Sequence, residues 1–119
     1  MLVEVFLALA MICFGADGQR ECHNALVGPS TPVGEYQIVQ RLTESLGYGG
    51  DVLQFKETDE MVYAIHRVWL LRPEEHRERR IKSRDPRQRS SITNGCINVE
   101  PAVYEALLNC CSNSTLVVK

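Results

Sequence analysis

The sequence predicts a mainly β domain with one or two short helices. Short apolar or alternating segments recur along the chain, and turn-forming residues separate them. Only the segment that begins at Pro101 has the pattern of a clear amphipathic helix. The length of 119 residues suits one domain, and no repeat or linker divides residues 1–119.

The first two strands are predicted at 3–14 and 19–27, joined by a two-residue turn at Asp17-Gly18. An alternative for residues 2–14 is the apolar core of a signal peptide. No Lys or Arg precedes this segment and Glu4 lies inside it, which favours the strand pair. The strand interpretation implies that the chain carries no export signal of its own.

The rest of the chain continues the pattern of short elements. Further strands are predicted at 34–41, 51–56, 61–71 and 115–118. Residues 72–90 form a polar, arginine-rich connection, with a short helix that Asp85-Pro86 ends. The helix that begins at Pro101 has a predicted apolar stripe of Val103, Ala106, Leu107 and Cys110.

Charge is distributed unevenly along the chain. The net charge is −2, but residues 72–89 hold eight basic and four acidic side chains. This basic segment lacks interleaved aromatic residues and is half compensated by acids, so it argues against a nucleic-acid-binding protein. The interpretations left for 72–90 are a solvated, mobile loop, which we favour, and a lid with arginines placed for substrate carboxylates.

The five cysteines and three histidines predict no metal site, because they lack zinc-ligand spacing. Cys13 and Cys22 face each other if the chain turns at 17–18, and both a disulfide and two reduced thiols are compatible with this. An odd count leaves at least one thiol free, as a cysteine enzyme requires. No cofactor is predicted.

Cys96 is the candidate nucleophile. The turn Asn94-Gly95-Cys96 places a thiol after a glycine, where the backbone turns sharply and a substrate can approach closely. The backbone amides of these three residues are candidate donors to an oxyanion. His66, inside the predicted strand 61–71, is the candidate base. On these residues alone, a core cysteine and a core histidine are the simpler interpretation.

Three segments resemble the L,D-transpeptidase catalytic domain. The stretch 90–101 (SSITNGCINVEP) is similar to the family's cysteine signature, in which Ser, a variable residue, Gly and Cys are followed by Ile or Leu and then Arg or Asn. The stretch 30–34 (STPVG) resembles the family's STPxG turn, and 63–66 (YAIH) resembles the strand that ends in its catalytic histidine. The resemblance covers nearly the whole chain and implies an L,D-transpeptidase-like β-sandwich or open barrel.

The resemblance implies a cysteine acyltransferase acting on peptidoglycan stem peptides through a Cys96 thioester. His66 would accept the thiol proton, and the backbone carbonyl of Arg67 would orient its ring. Substrate contacts are predicted for Ser91, Asn98 and Tyr63, which lie in the matched segments. The implied location is the periplasm or bacterial cell envelope, without membrane insertion.

Two departures from the family pattern keep an alternative open. Asn94 stands where the family has a second histidine, and more residues separate His66 from Cys96 in the sequence than in the compact family pattern. The alternative is a catalytically weakened module of the same fold that binds peptidoglycan. Crosslinking, carboxypeptidase activity and D-amino-acid exchange all remain open at this point, as does the oligomeric state.

Overall fold

Two sheets enclose the hydrophobic core in the computed structural model, which describes residues 1–16 and 19–119. Five strands form the first sheet in the order β3-β2-β1-β9-β4, and four form the second in the order β5-β6-β7-β8. The strands are β1 Leu2–Phe6, β2 Met11–Phe14, β3 Glu21–Asn24, β4 Gly34–Gln37, β5 Val39–Leu42, β6 Asp51–Glu57, β7 Val62–Arg67, β8 Ile97–Val99 and β9 Thr115–Val118. The helices are α1 Arg77–Ile81 and α2 Pro101–Cys111.

The predicted strand 3–14 is wrong in one respect, because it is two strands. A 3-10 turn at Leu7–Leu9 separates β1 from β2, and Ala10 closes it in the left-handed conformation with a φ of 48°. The two strands pair with each other in antiparallel fashion. A continuous apolar run carries no periodicity that would mark this break.

The predicted partner strand 19–27 is shorter in the structure, where β3 ends at Asn24. β2 and β3 pair in antiparallel fashion with Cys13 opposite Cys22, and these two cysteines form a disulfide. The predicted turn at Asp17-Gly18 lies outside the described residues. The disulfide resolves the alternative that the sequence left open for this pair.

The helix α2 begins at Pro101 as predicted, but its buried stripe differs from the predicted one. Tyr104, Leu107 and Cys111 are buried, while Ala106 is exposed. The buried face of α2 is therefore shifted by about one residue from the predicted face. The reason is that the large ring of Tyr104 buries more apolar surface than the predicted small side chains could. This ring and Leu107 pack in the core that both sheets share.

The connection 72–90 is folded against the domain, so the prediction of a solvated, mobile loop is wrong. Ile81 is buried in α1, and Asn24 donates from its side chain to the carbonyl of Ile81 at 2.8 Å. Arg89 is only 2% exposed, and its guanidinium donates to the carbonyls of Leu9 and Ala10. Buried arginine is stable here because backbone carbonyls satisfy its N–H groups.

Candidate active site

His66 lies near the end of β7 and faces away from the core. Side chains alternate along a strand, so Ala64 and His66 share one face while Tyr63 and Ile65 share the other. Tyr63 accordingly packs with Phe55 toward the core, at a ring-centroid distance of 6.4 Å. The alternation that turns the largely buried imidazole toward a cleft therefore turns Tyr63 away from it.

Cys96 immediately precedes β8, which pairs with β7 in parallel. The register places Ile65 beside Ile97 and His66 beside Asn98. Continued by one residue, it places Cys96 beside Ala64, on the same face as His66. The parallel pairing thus brings together a thiol and an imidazole that are far apart in the sequence.

The imidazole of His66 is held in one orientation. Its Nδ1 lies 2.7 Å from the carbonyl oxygen of Arg67, a contact that assigns the proton to Nδ1. Nε2 then carries the free lone pair. Burial lowers the pKa of His66 to about 4, and the charge of Arg77 acts in the same direction, while the Arg67 hydrogen bond opposes it. At neutral pH the ring is therefore an uncharged base.

The side chain of Arg67 anchors the loop that covers this histidine. Its guanidinium contacts Asp51 at 2.8 Å and Glu105 at 2.9 Å, and it donates to the carbonyl of Tyr48 at 3.1 Å. Tyr48 in turn meets the His66 ring edge-on, with centroids 4.7 Å apart. Arg67 thus orients the imidazole of His66 through its backbone carbonyl and holds Tyr48 in place through its side chain.

The thiol of Cys96 is partly exposed and is the free thiol among the five cysteines, because the structure also joins Cys110 to Cys111. Its Sγ donates to the carbonyl of Val62 at 3.7 Å. Burial raises the pKa of this thiol, opposed by the Ala64 backbone and the charge of Arg77. The group is therefore a neutral thiol, which would need a base in order to act as a nucleophile.

No hydrogen bond joins Cys96 to His66 within the described part of the chain. The neighbour of His66 Nε2 is instead Asn98 Nδ2, at 3.5 Å. A proton transfer between the two groups would require the Cys96 side chain to rotate away from the Val62 carbonyl. Contacts of this kind are often long in the absence of substrate and tighten when it binds.

The turn before Cys96 offers two amides to an oxyanion instead of the predicted three. Gly95 donates its amide to the Thr93 hydroxyl at 3.2 Å, and that hydroxyl donates to the carbonyl of Cys96. The amides of Asn94 and Cys96 donate to no protein group among residues 1–16 and 19–119. Sequence reasoning missed Thr93, whose side chain closes the turn on itself.

Gly95 is required by the space around it as well as by its backbone. Its φ is 127°, and an added Cβ would lie 2.5 Å from the ring of Tyr63. Tyr63 therefore packs against the turn that carries Cys96, on its core side. The prediction that Tyr63 contacts substrate is not supported by this placement.

Two clefts meet at the thiol. The larger has a volume of about 310 Å³ and lies against β5, β6 and the loop after β5. The smaller has a volume of about 160 Å³ and extends toward α1. Tyr48, His66 and Cys96 line both of them. The thiol is therefore accessible from two sides.

The remaining predicted substrate residues lie in different places. Asn98 is completely buried, and its Oδ1 accepts from the Trp69 amide at 3.1 Å and from Arg77 Nη1 at 3.0 Å. Ser91 is exposed and lines neither cleft. It lies five residues before the thiol, ahead of the turn at 93–96.

Tyr48 and Arg77 were missed from the sequence. Tyr48 lies between Gly47 and Gly49, which have φ values of 93° and 79°. The glycines on either side of this aromatic residue are the sequence signal that could have identified it. Arg77 is one of eight basic residues in 72–89, so nothing in the sequence distinguishes it from its neighbours. Only the folding of the connection brings it to the thiol.

The described residues contain no cluster of three or more His, Cys, Asp or Glu side chains that could hold a metal ion. A membrane-crossing helix is likewise absent from the ranges 1–16 and 19–119.

No family model and no curated protein matches the chain, but solved structures do. L,D-transpeptidase 3 from Mycobacterium tuberculosis matches 99% of the chain with a TM-score of 0.67 and 15% identity. The chain has an L,D-transpeptidase-like fold. An L,D-transpeptidase from Mycobacterium smegmatis matches 99% of it with a TM-score of 0.61 and 15% identity. L,D-transpeptidase 1 from Mycobacterium tuberculosis matches 98% with a TM-score of 0.58 and 13% identity.

These matches confirm the predicted fold class, a mainly β L,D-transpeptidase-like domain with two short helices. The chain spans 58–60% of the length of these solved structures. At identities of 13–15%, these structural matches show the fold alone, so the chemistry must be argued from the site itself.

Proposed function

We propose that the chain is a cysteine acyltransferase that acts on the stem peptides of peptidoglycan. The observation that supports this most strongly is the placement of a free thiol and a neutral, oriented imidazole on one sheet face, where two clefts meet. The fold shared with L,D-transpeptidases supplies the substrate class, and the site supplies the chemistry.

The reaction begins when Cys96 rotates toward His66. Nε2 accepts the thiol proton while Sγ attacks the peptide carbonyl, and the amides of Asn94 and Cys96 receive the negative charge on its oxygen. The C–N bond then breaks, and the proton passes from His66 to the leaving amine. An incoming amine or water attacks the resulting thioester, gives its proton to His66, and the thiol is restored.

A cell-envelope location accompanies this function. The Cys13–Cys22 disulfide joins neighbouring strands of the first sheet. Disulfides of this kind persist in oxidising compartments such as the bacterial periplasm. The disulfide therefore agrees with the place where stem peptides are found.

A second candidate function is a module that binds peptidoglycan without turning it over. Two contacts favour this function. The Sγ of Cys96 donates a hydrogen bond to the Val62 carbonyl, and the Nε2 lone pair of His66 faces the Asn98 side-chain amide. In this case the clefts would hold a stem peptide while the thiol stayed protonated and unreactive.

The two candidates differ in their products. Wild-type protein and Cys96→Ala would be incubated with purified muropeptides that end in D-alanine, and the products identified by mass spectrometry. The proposed enzyme releases or exchanges D-alanine in the wild type only. Identical product profiles for the two proteins would leave the binding module as the function.

A further inference from the structure

The two clefts that meet at Cys96 differ in size. The larger, of about 310 Å³, is lined by side chains of β5, β6 and β7 and has room for a peptide segment. The smaller, of about 160 Å³, has about half that volume, and a single small amino acid suits it better than a peptide segment does. The sides of the thiol are therefore suited to different parts of a substrate.

Arg77 lines the smaller cleft, and its guanidinium is fixed in position. Its Nε contacts the Glu75 carboxylate at 3.0 Å, and its Nη1 donates to Asn98 Oδ1 at 3.0 Å. The carbon of the guanidinium lies 5.3 Å from the centre of the Trp69 ring. The side chain is only 11% exposed, so it is pre-organised.

One nitrogen of this guanidinium is still available. Across the described ranges, Nη2 of Arg77 makes no hydrogen bond to protein. Arg77 lines the smaller cleft together with His66 and Cys96. A donor that is held in place beside the reacting groups is suited to bind a carboxylate, for which arginine is the preferred partner.

The local charge favours an anion. Glu75 balances Arg77 in part, but residues 72–82 carry five basic and three acidic side chains in all. Behind Arg77, a further cleft of about 430 Å³ is lined by the basic residues Arg72, Arg79 and Lys82 and by the acid Glu78. The charge of Arg77 lowers the pKa of both Cys96 and His66, so its field extends to the reacting atoms.

We propose that Arg77 binds the free carboxylate of a single amino acid in the smaller cleft, beside the bond that is broken or formed at Cys96. This rests on the proposed acyltransferase function. The stem peptide occupies the larger cleft, and its last residue lies in the smaller one, with its carboxylate on Nη2. When the C–N bond to that residue breaks, the residue leaves with the proton from His66.

The same subsite serves the reverse step. An incoming free amino acid places its carboxylate on Arg77, so that its amine faces the thioester. The amine attacks the carbonyl, the C–S bond breaks, and the amine proton passes through His66 to the thiolate. A cleft of about 160 Å³ lined by Trp69 and Arg77 favours this exchange over attack by the amine of a second, bulky stem.

The test compares free acids with their amides, which keep the shape and remove the charge. A stem tetrapeptide ending in D-alanine and the same peptide ending in D-alaninamide serve as donors. Isotope-labelled D-alanine and D-alaninamide serve as acceptors. The kcat and KM of wild type, Arg77→Gln, Arg77→Lys and Arg84→Gln are read by mass spectrometry. Arg84 is an exposed arginine of the same segment and lines neither cleft.

Wild type should prefer the acids about ten- to hundredfold in kcat/KM, the worth of one hydrogen bond to a charged group. Arg77→Gln should reduce the ratio to about one, Arg77→Lys should restore part of it, and Arg84→Gln should leave it unchanged. The donor pair reports on the leaving residue, and the acceptor pair reports on the incoming one.

Equal wild-type rates on acids and amides in both pairs would overturn the subsite and leave the acyltransferase intact. This comparison within the wild type needs no variant, so an unfolded Arg77→Gln does not prevent a decision. A wild type that turns over neither donor would overturn the acyltransferase itself, and the subsite with it.

Discussion

The two sheets of this domain are built differently, although they share one core. The five-stranded sheet is regular, and the side chains of Val3, Val5, Ile12, Leu116 and Val118 from its strands are all buried. The four-stranded sheet has a register shift between Gln54 and Lys56 and buries the polar side chains of Asp51, His66 and Asn98. Both sheets supply apolar side chains to the shared core, and the second also holds the polar groups of the candidate site.

This contrast implies that substitutions in the two sheets have different consequences. Shortening a buried apolar side chain in the first sheet lowers the free energy of unfolding. Buried polar groups in the second sheet cost free energy unless their hydrogen bonds are satisfied. The three predictions below test this difference, in order of decreasing effect.

The largest effect is expected for His66→Gln. Loss of the base should lower the rate of acyl transfer by about 10²–10⁴-fold, while the protein stays folded. The measurement is D-alanine release from a stem tetrapeptide, with circular dichroism as the check on folding. His23 lies in β3 of the other sheet and provides the matched control, His23→Gln, which should keep the wild-type rate. Equal losses in both variants would contradict the assignment.

Leu116→Ala should have the opposite effect, lowering stability while leaving the rate of acyl transfer nearly unchanged. Leu116 is completely buried in β9, so its truncation should reduce the free energy of unfolding by about 2–5 kcal/mol. The rate per folded molecule, measured at low temperature, should change little. Leu46→Ala is the control, because Leu46 is 79% exposed and should stay within about 0.5 kcal/mol of wild type. Urea unfolding of both variants checks the prediction.

A smaller effect is expected from acid. The pKa of His66 is lowered to about 4 in the folded state, so between pH 6.5 and 4 the unfolded chain binds a proton that the folded protein does not. Stability should therefore fall as the pH decreases through this window, by up to about 3 kcal/mol. Unfolding of wild type and His66→Gln across this range isolates the contribution. Parallel curves would show that His66 is not buried as a neutral ring.

Much of the fold was predictable because short-range rules governed it. The helix at Pro101 begins where proline suits the first turn, and the predicted strand 51–56 corresponds to β6. The predicted strand 34–41 is wrong in one respect, because it is two strands, β4 and β5, which belong to different sheets. The pairing of β7 with β8 was not predictable, since it joins residues about 30 positions apart. The resemblance of short motifs indicated that His66 and Cys96 belong together, and the roles of both stay predictions until activity is measured.

The connection 72–90 shows why the rest escaped prediction. Its arginines have identical propensities, yet Arg89 is buried on carbonyls of the turn between β1 and β2, Arg77 lines the cleft at the thiol, and Arg87 remains on the surface. Which arginine is buried depends on the carbonyls that the tertiary fold presents to it. The basic composition of the segment does not distinguish these three arginines from one another.

The account depends on a neutral thiol and a neutral imidazole that exchange a proton during attack. The most direct test is the rate at which a stem tetrapeptide acylates Cys96, followed by peptide-mapping mass spectrometry as a function of pH. We predict a thioester at Cys96 formed with loss of one D-alanine, at a rate that is flat from about pH 5.5 to 7.5 and falls through pH 4 as His66 is protonated. Absence of the adduct, or a rate that titrates near the ordinary histidine value of about 6.5, would contradict it.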